Sequence, residues 1–152
     1  ATDFEYFNDP EKTAEARSPD GTMSTVGDIG YVDADGYMYL TDRATFMIIS
    51  GGVNIYPQEI ENHLVTHPKV ADVAVVGMPS EHSGEEVVAA IVLESSVEDI
   101  DETAIREFAR SILTPYKVPR RIFVVDELPK SLIGKVLRRQ VRAKLLELSG
   151  EE

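Results

Sequence analysis

The most pointed chemistry in the sequence is Gly134-Lys135, at the end of the run Pro129-Lys130-Ser131-Leu132-Ile133. Glycine lets a chain turn and lysine offers a mobile point charge. Ahead of a helix, such a pair can meet a phosphate or a carboxylate, or simply be an exposed helix start. It is not a Walker loop, because that pattern requires glycine where Pro129 stands. Gly51-Gly52 closes the apolar run 46–50, and two residues without Cβ free the backbone to turn or to approach a ligand closely. Asp28, within Gly27-Asp28-Ile29-Gly30, could accept two hydrogen bonds from a ribose diol or be satisfied by its own turn. His63 and His67 stand four apart on an expected helix, a spacing that can share a metal. No third ligand accompanies them, so no metal is expected. Ser80, His82 and Ser83 lack the nucleophile-elbow pattern of a hydrolase.

The balance of charge narrows the partners. A formal net charge of −12 on 152 residues, with a pI of about 4.6, argues against a general nucleic-acid binder. That charge is uneven. Residues 1–41 hold nine acids and two bases, whereas residues 117–144 hold nine bases and two acids. The basic stretch could meet a small polyanion, or be the solvated face of a final helix. At 43% hydrophobic and 28% charged residues the composition is that of a folded globular chain. The absence of cysteine removes disulfide scaffolds, thiolate zinc sites and thiol nucleophiles. No apolar run reaches membrane-span length and the opening is too acidic for a signal peptide, so a soluble, cytoplasmic protein is expected.

The elements that must hold these residues follow from periodicity. Residues 1–23, with Asn8-Asp9-Pro10 and Ser18-Pro19-Asp20-Gly21, read as loop or a short helix and as a severed end. The runs 29–33 and 37–42 around Asp35-Gly36 predict a hairpin. A strand is expected over 46–50. Pro57, Glu59, Ile60, Glu61 and Leu64 then predict a helix that closes at His67-Pro68. Residues 70–77 and 86–94 are apolar on both faces and predict covered strands. Asp101 should cap a helix burying Ile105, Phe108, Ala109, Ile112 and Leu113. A third core strand is expected over 121–126. A last helix is expected from about Lys135 to Leu148, with Leu137, Val141, Leu145 and Leu148 inward and Arg138, Arg139, Arg142 and Lys144 mostly elsewhere. The class is α+β, a small mixed sheet with packed helices, preceded by a β-hairpin, with a boundary near residues 42–46.

Three ordered blocks then carry a resemblance: STVGDIGYVDADGYMYLTDR, MIISGGVNIYPQEIENHLVTHPKVADVAVVGMP and YKVPRRIFVVDELPKSLIGKVLRRQVR. Together they resemble the C-terminal part of an acyl-CoA synthetase of the adenylate-forming superfamily. The resemblance implies that residues 1–42 are the tail of a large N-terminal adenylation domain, 43–46 a hinge, and 47–152 the mobile C-terminal lid. It implies ATP, with its Mg2+ held mainly by the N-terminal domain, and CoA as cofactors. A carboxylic acid, with a fatty acid favoured, would form an acyl-adenylate and then a thioester. Asp28, Leu40 and Arg43 would bind the nucleotide, and Lys135 would be the catalytic lysine at the α-phosphate and the acid's carboxylate. Gly51 and Gly52 would border the pantetheine tunnel, with Lys117, Arg120 and Arg121 at the CoA phosphates. Thr45 would be the hinge, standing where family members carry Asp or Lys; Phe46 replaces a commonly polar residue and Ile133 the usual Thr. The chain's partner would be its own N-terminal domain, without which it is expected to be inactive. The alternatives are an enzyme loading a carrier-protein phosphopantetheine thiol, and a noncatalytic binding or regulatory module.

Overall fold

A computed structural model describes residues 4–97 and 100–150. The chain divides into two compact units, Ala1–Thr45 and Phe46–Glu152. Residues 1–3, 98–99 and 151–152, which fall inside the expected segments 1–42 and 47–152, lie outside the described residues.

The first unit has a short helix α1 (Pro10–Glu15) and a hairpin of β1 (Asp28–Val32) and β2 (Met38–Arg43). Asp9 caps α1 by accepting from the Lys12 N–H at 3.0 Å. The hairpin turn is held by Asp33, whose carboxylate accepts from the Tyr37 and Asp35 N–H groups at 2.9 and 3.0 Å. The Tyr37 bond foremost keeps the Asp33 carboxyl below the usual carboxylate range. A bulge interrupts the ladder between Ile29 and Gly30. A Cβ on Gly30 would sit 2.4 Å from the Tyr39 carbonyl oxygen, so this crossing admits only glycine. Among the described residues of this unit Ala16 alone is a buried hydrophobic, while Tyr31, Val32, Met38 and Leu40 are exposed.

The second unit is a five-stranded sheet between helices. Its strands are β3 (Ile48–Ser50), β4 (Val53–Ile55), β5 (Val70–Ser80), β6 (Gly84–Leu93) and β7 (Arg121–Val124). β6 is central: β5 runs antiparallel along one side, and β7, parallel, lies on the other. β3 joins that second side through Ser50 and Gly84. The alternation expected of strands sorts the core into two faces. Val73, Val75, Val87, Ala89 and Ile91 pack with Ile60 and Leu64 of α2 (Pro57–Leu64) and Ile105 and Ala109 of α3 (Glu102–Ile112). Ala74, Val76, Met78, Val88 and Ala90 pack with Val141 and Leu145 of α4 (Arg138–Ser149). Asp101 caps α3 through the Thr103 N–H at 2.8 Å.

The outer edge of β5 has no strand partner among the described residues, and side chains cover it instead. Glu61 of α2 accepts from the Val75 N–H at 2.7 Å, and Arg142 of α4 donates Nε–H to the Gly77 carbonyl at 2.9 Å. Pro79 shares the parity of Val75 and Gly77, so its missing N–H falls on this same edge and breaks no ladder bond. Glu61 also pairs with Arg138, the first residue of α4, and both side chains are about nine-tenths buried. One carboxylate thus joins α2, the edge strand and α4.

The structure departs from the expected elements in five places. The strand expected from residue 46 begins at Ile48, because Phe46 ends a 3-10 turn, Ala44–Phe46. β4 was not anticipated: Gly51-Gly52 is the two-residue turn of a β3–β4 hairpin. The last helix begins at Arg138, not Lys135, because residues 130–136 are held as a hairpin by the Lys130–Val136 bridge and by the Leu137 N–H on the Pro129 carbonyl at 2.8 Å. Leu148 and Ile112 are exposed, at the outer margins of their helices' apolar stripes. Arg138 and Arg142, expected to lie mostly away from the packed face, are engaged at the sheet edge.

The buried pair has a definite stability signature. Arg138→Met alone strands the Glu61 carboxylate and should destabilise the second unit by about 3–5 kcal/mol. Glu61→Gln combined with Arg138→Met keeps an acceptor for the Val75 N–H and strands no charge, so most of that loss should return. Urea unfolding of the three proteins at neutral pH checks the order.

Candidate functional site

In the first unit the hairpin register places Asp28 directly opposite Arg43. Arg43 Nε donates to Asp28 Oδ1 at 2.8 Å, with side chains 55% and 32% exposed, so two expected nucleotide residues form one accessible pair. The guanidinium orients the carboxylate, whose Oδ2 is a second acceptor suited to a diol. Leu40 pairs with Gly30 beyond the bulge and is exposed.

In the second unit Lys135 ends a tight turn. The Gly134 N–H donates to the Ser131 carbonyl at 2.9 Å, the Ser131 N–H donates to the Lys135 carbonyl at 2.8 Å, and the Lys135 N–H meets Ser131 Oγ at 3.2 Å. Leu132 and Ile133 stand fully out at its tip. Lys135 is exposed and, among the described residues, makes no ion pair, unlike Lys130, whose Nζ lies 2.5 Å from Asp72 Oδ2. A rigid hairpin carrying an unneutralised ammonium is well suited to meet a group on which negative charge accumulates.

The Gly51-Gly52 turn lies elsewhere on the same sheet. Both residues have positive φ, 56° and 79°, the type I′ geometry that side chains oppose. The Gly51 N–H donates to the Ser83 carbonyl at 2.9 Å, tying this turn to the β5–β6 connection. A Cβ built on either glycine meets open space, so backbone conformation alone accounts for both residues within the chain. The hairpin of Lys135 is pinned near the opposite end of β5, at Asp72. Eight residue rises of strand separate Asp72 from Ser80, about 26 Å at the usual rise.

The three cations expected at the CoA phosphates are not equivalent. Lys117 Nζ donates to both oxygens of Glu59 at 2.6 Å, and Arg121 lies 2.6 Å from Glu86 Oε1. Arg120 is exposed and, among the described residues, makes no ion pair. Of the nine bases in 117–144, five are engaged within the fold: Lys117, Arg121, Lys130, Arg138 and Arg142. The stretch is therefore neither one free polyanion surface nor one solvated helix face.

Sequence reasoning missed Glu61 and Arg138 as a pair, and Phe46, whose ring lies 5.2 Å from Arg138 Cζ. A glutamate near the start of an expected helix reads as a partner of the helix dipole, whereas its actual partner lies 77 residues away. Of the histidines, His67 packs edge-on against Phe108 at 4.9 Å and accepts the Lys69 N–H on Nδ1 at 3.2 Å. Thr45 lies in a short 3-10 turn, Ala44–Phe46. No helix among the described residues is long and apolar enough to cross a membrane.

With this geometry in view, the chain belongs to the AMP-binding enzyme C-terminal domain family, whose profile matches residues 59–135. It is 44% identical over 137 residues to the 2-succinylbenzoate–CoA ligase of Geobacillus kaustophilus, covering 90% of this chain and 27% of that protein. It is also 44% identical over 136 residues to the long-chain-fatty-acid–CoA ligase of Bacillus subtilis, covering 90% and 24%. Among solved structures, it superposes on the o-succinylbenzoate CoA synthetase of Bacillus subtilis in complex with its acyl-adenylate intermediate. That match has a TM-score of 0.78 and 35% identity, and covers 91% of this chain and 28% of that one. The chain thus spans about a quarter of the length of these relatives.

Two measurements check this description. Burial and the Lys69 charge hold the His67 imidazole below its ordinary value. The unfolded chain therefore takes up a proton that the folded chain refuses, and stability should fall as pH drops from 6.5 through the folded value. Following the His67 ring signals by NMR should show it titrating below the ordinary imidazole value, and His67→Gln should flatten that part of the stability profile. Separately, Gly52→Ala should cost about 1–2 kcal/mol from left-handed strain alone, read by chemical unfolding.

Proposed function

We infer that the chain is the mobile lid and adjoining hairpin of an AMP-forming acid–CoA ligase. Residues 1–42 belong to the tail of its large adenylation domain, 43–46 act as the hinge at Thr45, and 47–152 form the lid. The observation that carries this reading is the placement of two unlike turns, one bearing Lys135 and one made of Gly51-Gly52, anchored at opposite ends of the rigid β5–β6 ladder. A site that first needs a cation and then a side-chain-free channel is served by a body that offers one end and then the other. The uncovered apolar hairpin of the first unit supports its assignment to a larger domain, since a two-stranded ribbon without a core needs neighbours.

In the first half-reaction, the carboxylate oxygen of the acid attacks the α-phosphorus of ATP and pyrophosphate leaves. Lys135 balances the charge crowding on the α-phosphate oxygens and the entering carboxylate. Asp28 accepts from the ribose hydroxyls, Arg43 orients it and contacts the nucleotide, and Leu40 lines the ribose side. In the second, the CoA thiolate sulfur attacks the acyl carbon and AMP leaves. The Gly51-Gly52 turn borders the pantetheine arm, and Arg120 is the most available of the three cations for the CoA phosphates. Among acids, a fatty acid is our first choice, from the ISGGVNIYPQEIE block. The chain is 44% identical both to a succinylbenzoate ligase and to a long-chain-fatty-acid ligase, so overall identity favours neither acid.

The test uses a fusion in which this chain replaces the matching C-terminal segment of the Bacillus subtilis long-chain-fatty-acid–CoA ligase. AMP release should depend on both acid and CoA. Lys135→Ala should slow adenylation on the order of 100- to 1,000-fold, while thioester formation from supplied acyl-adenylate survives. Gly52→Val should do the reverse. An equal loss in both half-reactions for either variant contradicts the two-ended mechanism, and AMP release without CoA dependence favours a carrier-protein acceptor.

A further inference from the structure

Three groups converge on the guanidinium of Arg138. Its two terminal nitrogens donate to the two oxygens of Glu61, the Nη2–Oε2 bond measuring 2.9 Å. Nη2 also lies 3.4 Å from Gln58 Oε1, and the Phe46 ring closes the third side. The Arg138 side chain is only 12% exposed, so a planar cation is fixed in a single setting.

The residues at either end of this arrangement are unexpected ones. Arg138 stands at the N-terminus of α4, where the helix dipole disfavours a cation. An apolar pair of the same volume would hold the two helices about as well, which turns attention from stability to what the ion pair positions. Arg138 forms the foot of the Lys135 hairpin, one residue beyond the Leu137–Pro129 hydrogen bond that closes its stem. The opposite strand of that stem is pinned separately, by Lys130 to Asp72. Phe46, on the far side of the guanidinium, is the residue that directly follows Thr45.

We propose that Arg138 is a positioning residue for Lys135. It ties the foot of the lysine hairpin to α2 through Glu61 and to the last residue of the hinge segment, Phe46. Hairpin, helix and hinge exit then move as one body, and the ammonium arrives at a set place when the lid turns. The inference rests on the ligase reading of Lys135. It makes no bond and moves no proton; its effect is geometric, and misplacement on the scale of 1 Å can slow a reaction about 100-fold.

Glu61→Gln combined with Arg138→Met tests it, because that pair removes the clamp while keeping the Val75 acceptor and leaving no buried charge. In the fusion enzyme, kcat for adenylation should fall about 10- to 100-fold with KM for ATP unchanged, while thioester formation from supplied acyl-adenylate holds. Phe46→Leu, which keeps bulk and loses the ring face, should give a smaller fall of the same kind. In the 152-residue chain itself, amide exchange at Gly134 and Lys135 should quicken in the double variant while the β5–β6 ladder keeps its protection. Unchanged kcat, or an equal fall in both half-reactions, overturns the positioning role. If the unmutated fusion forms no adenylate, or Lys135→Ala leaves it undiminished, the ligase reading itself fails and takes this inference with it; the exchange result tells the two failures apart.

Discussion

The second unit depends on one buried carboxylate. Glu61 takes up the Val75 N–H at the bare edge of β5 and neutralises Arg138 at the start of α4, so it serves as edge cap, helix link and counter-ion together. Each task alone could be done by a cheaper group. A water could satisfy the amide, and apolar packing could hold the helices. What a single charged pair adds is exclusivity of geometry, because a desolvated guanidinium and carboxylate tolerate few relative positions. The three layers of helix, sheet and helix are thereby fastened at an edge where, among the described residues, the sheet has no strand to continue it.

In the proposed mechanism that fastening matters because the sheet acts as a ruler. The β5–β6 ladder is long, paired along nearly its whole length and buried on both faces, which makes it a firm scaffold. The turns that differ most in character hang from its two ends: a hairpin tipped with two bare aliphatic side chains and a lysine, and a type I′ glycine turn with no side chains at all. At the tip neither turn is packed, although Val136 at the base of the first rests against the core on the α4 face. Each owes its setting to a few anchors: Asp72 and Glu61 for the first, Ser83 for the second. Function concentrated on turns and stability concentrated in the ladder is the usual division of labour between loops and scaffold.

The first unit obeys a different logic. Its hairpin is correctly specified by local turn chemistry, with Asp33 holding the turn and Gly30 admitting the close crossing at the bulge. Yet it buries almost nothing. Hydrogen bonds and a cross-strand Tyr31–Tyr39 stack at 5.0 Å define its shape without giving it a core. The Asp28–Arg43 pair survives in this setting because it is cross-strand and local, needing only the register to bring it together.

The division between sequence and structure follows from range. Local patterns determined the α+β class, the hairpin around Asp35-Gly36, the helices capped by Asp101 and opened by Pro57, and the two apolar strands, because each rests on neighbours within a turn or a pleat. They also marked Asp28, Gly51, Gly52 and Lys135 as residues worth following, and the family resemblance added Arg43. Tertiary structure alone decided the rest. It converted Gly51-Gly52 into the turn of an unanticipated hairpin, and it drew Lys135 off the helix into a pinned loop. It also showed that Lys117, Arg121, Arg138 and Arg142 answer to groups 35 to 77 residues distant. A charge in a sequence declares what it can pair with; only the folded chain, by bringing remote backbone and side chains to one edge of one strand, declares what it does pair with.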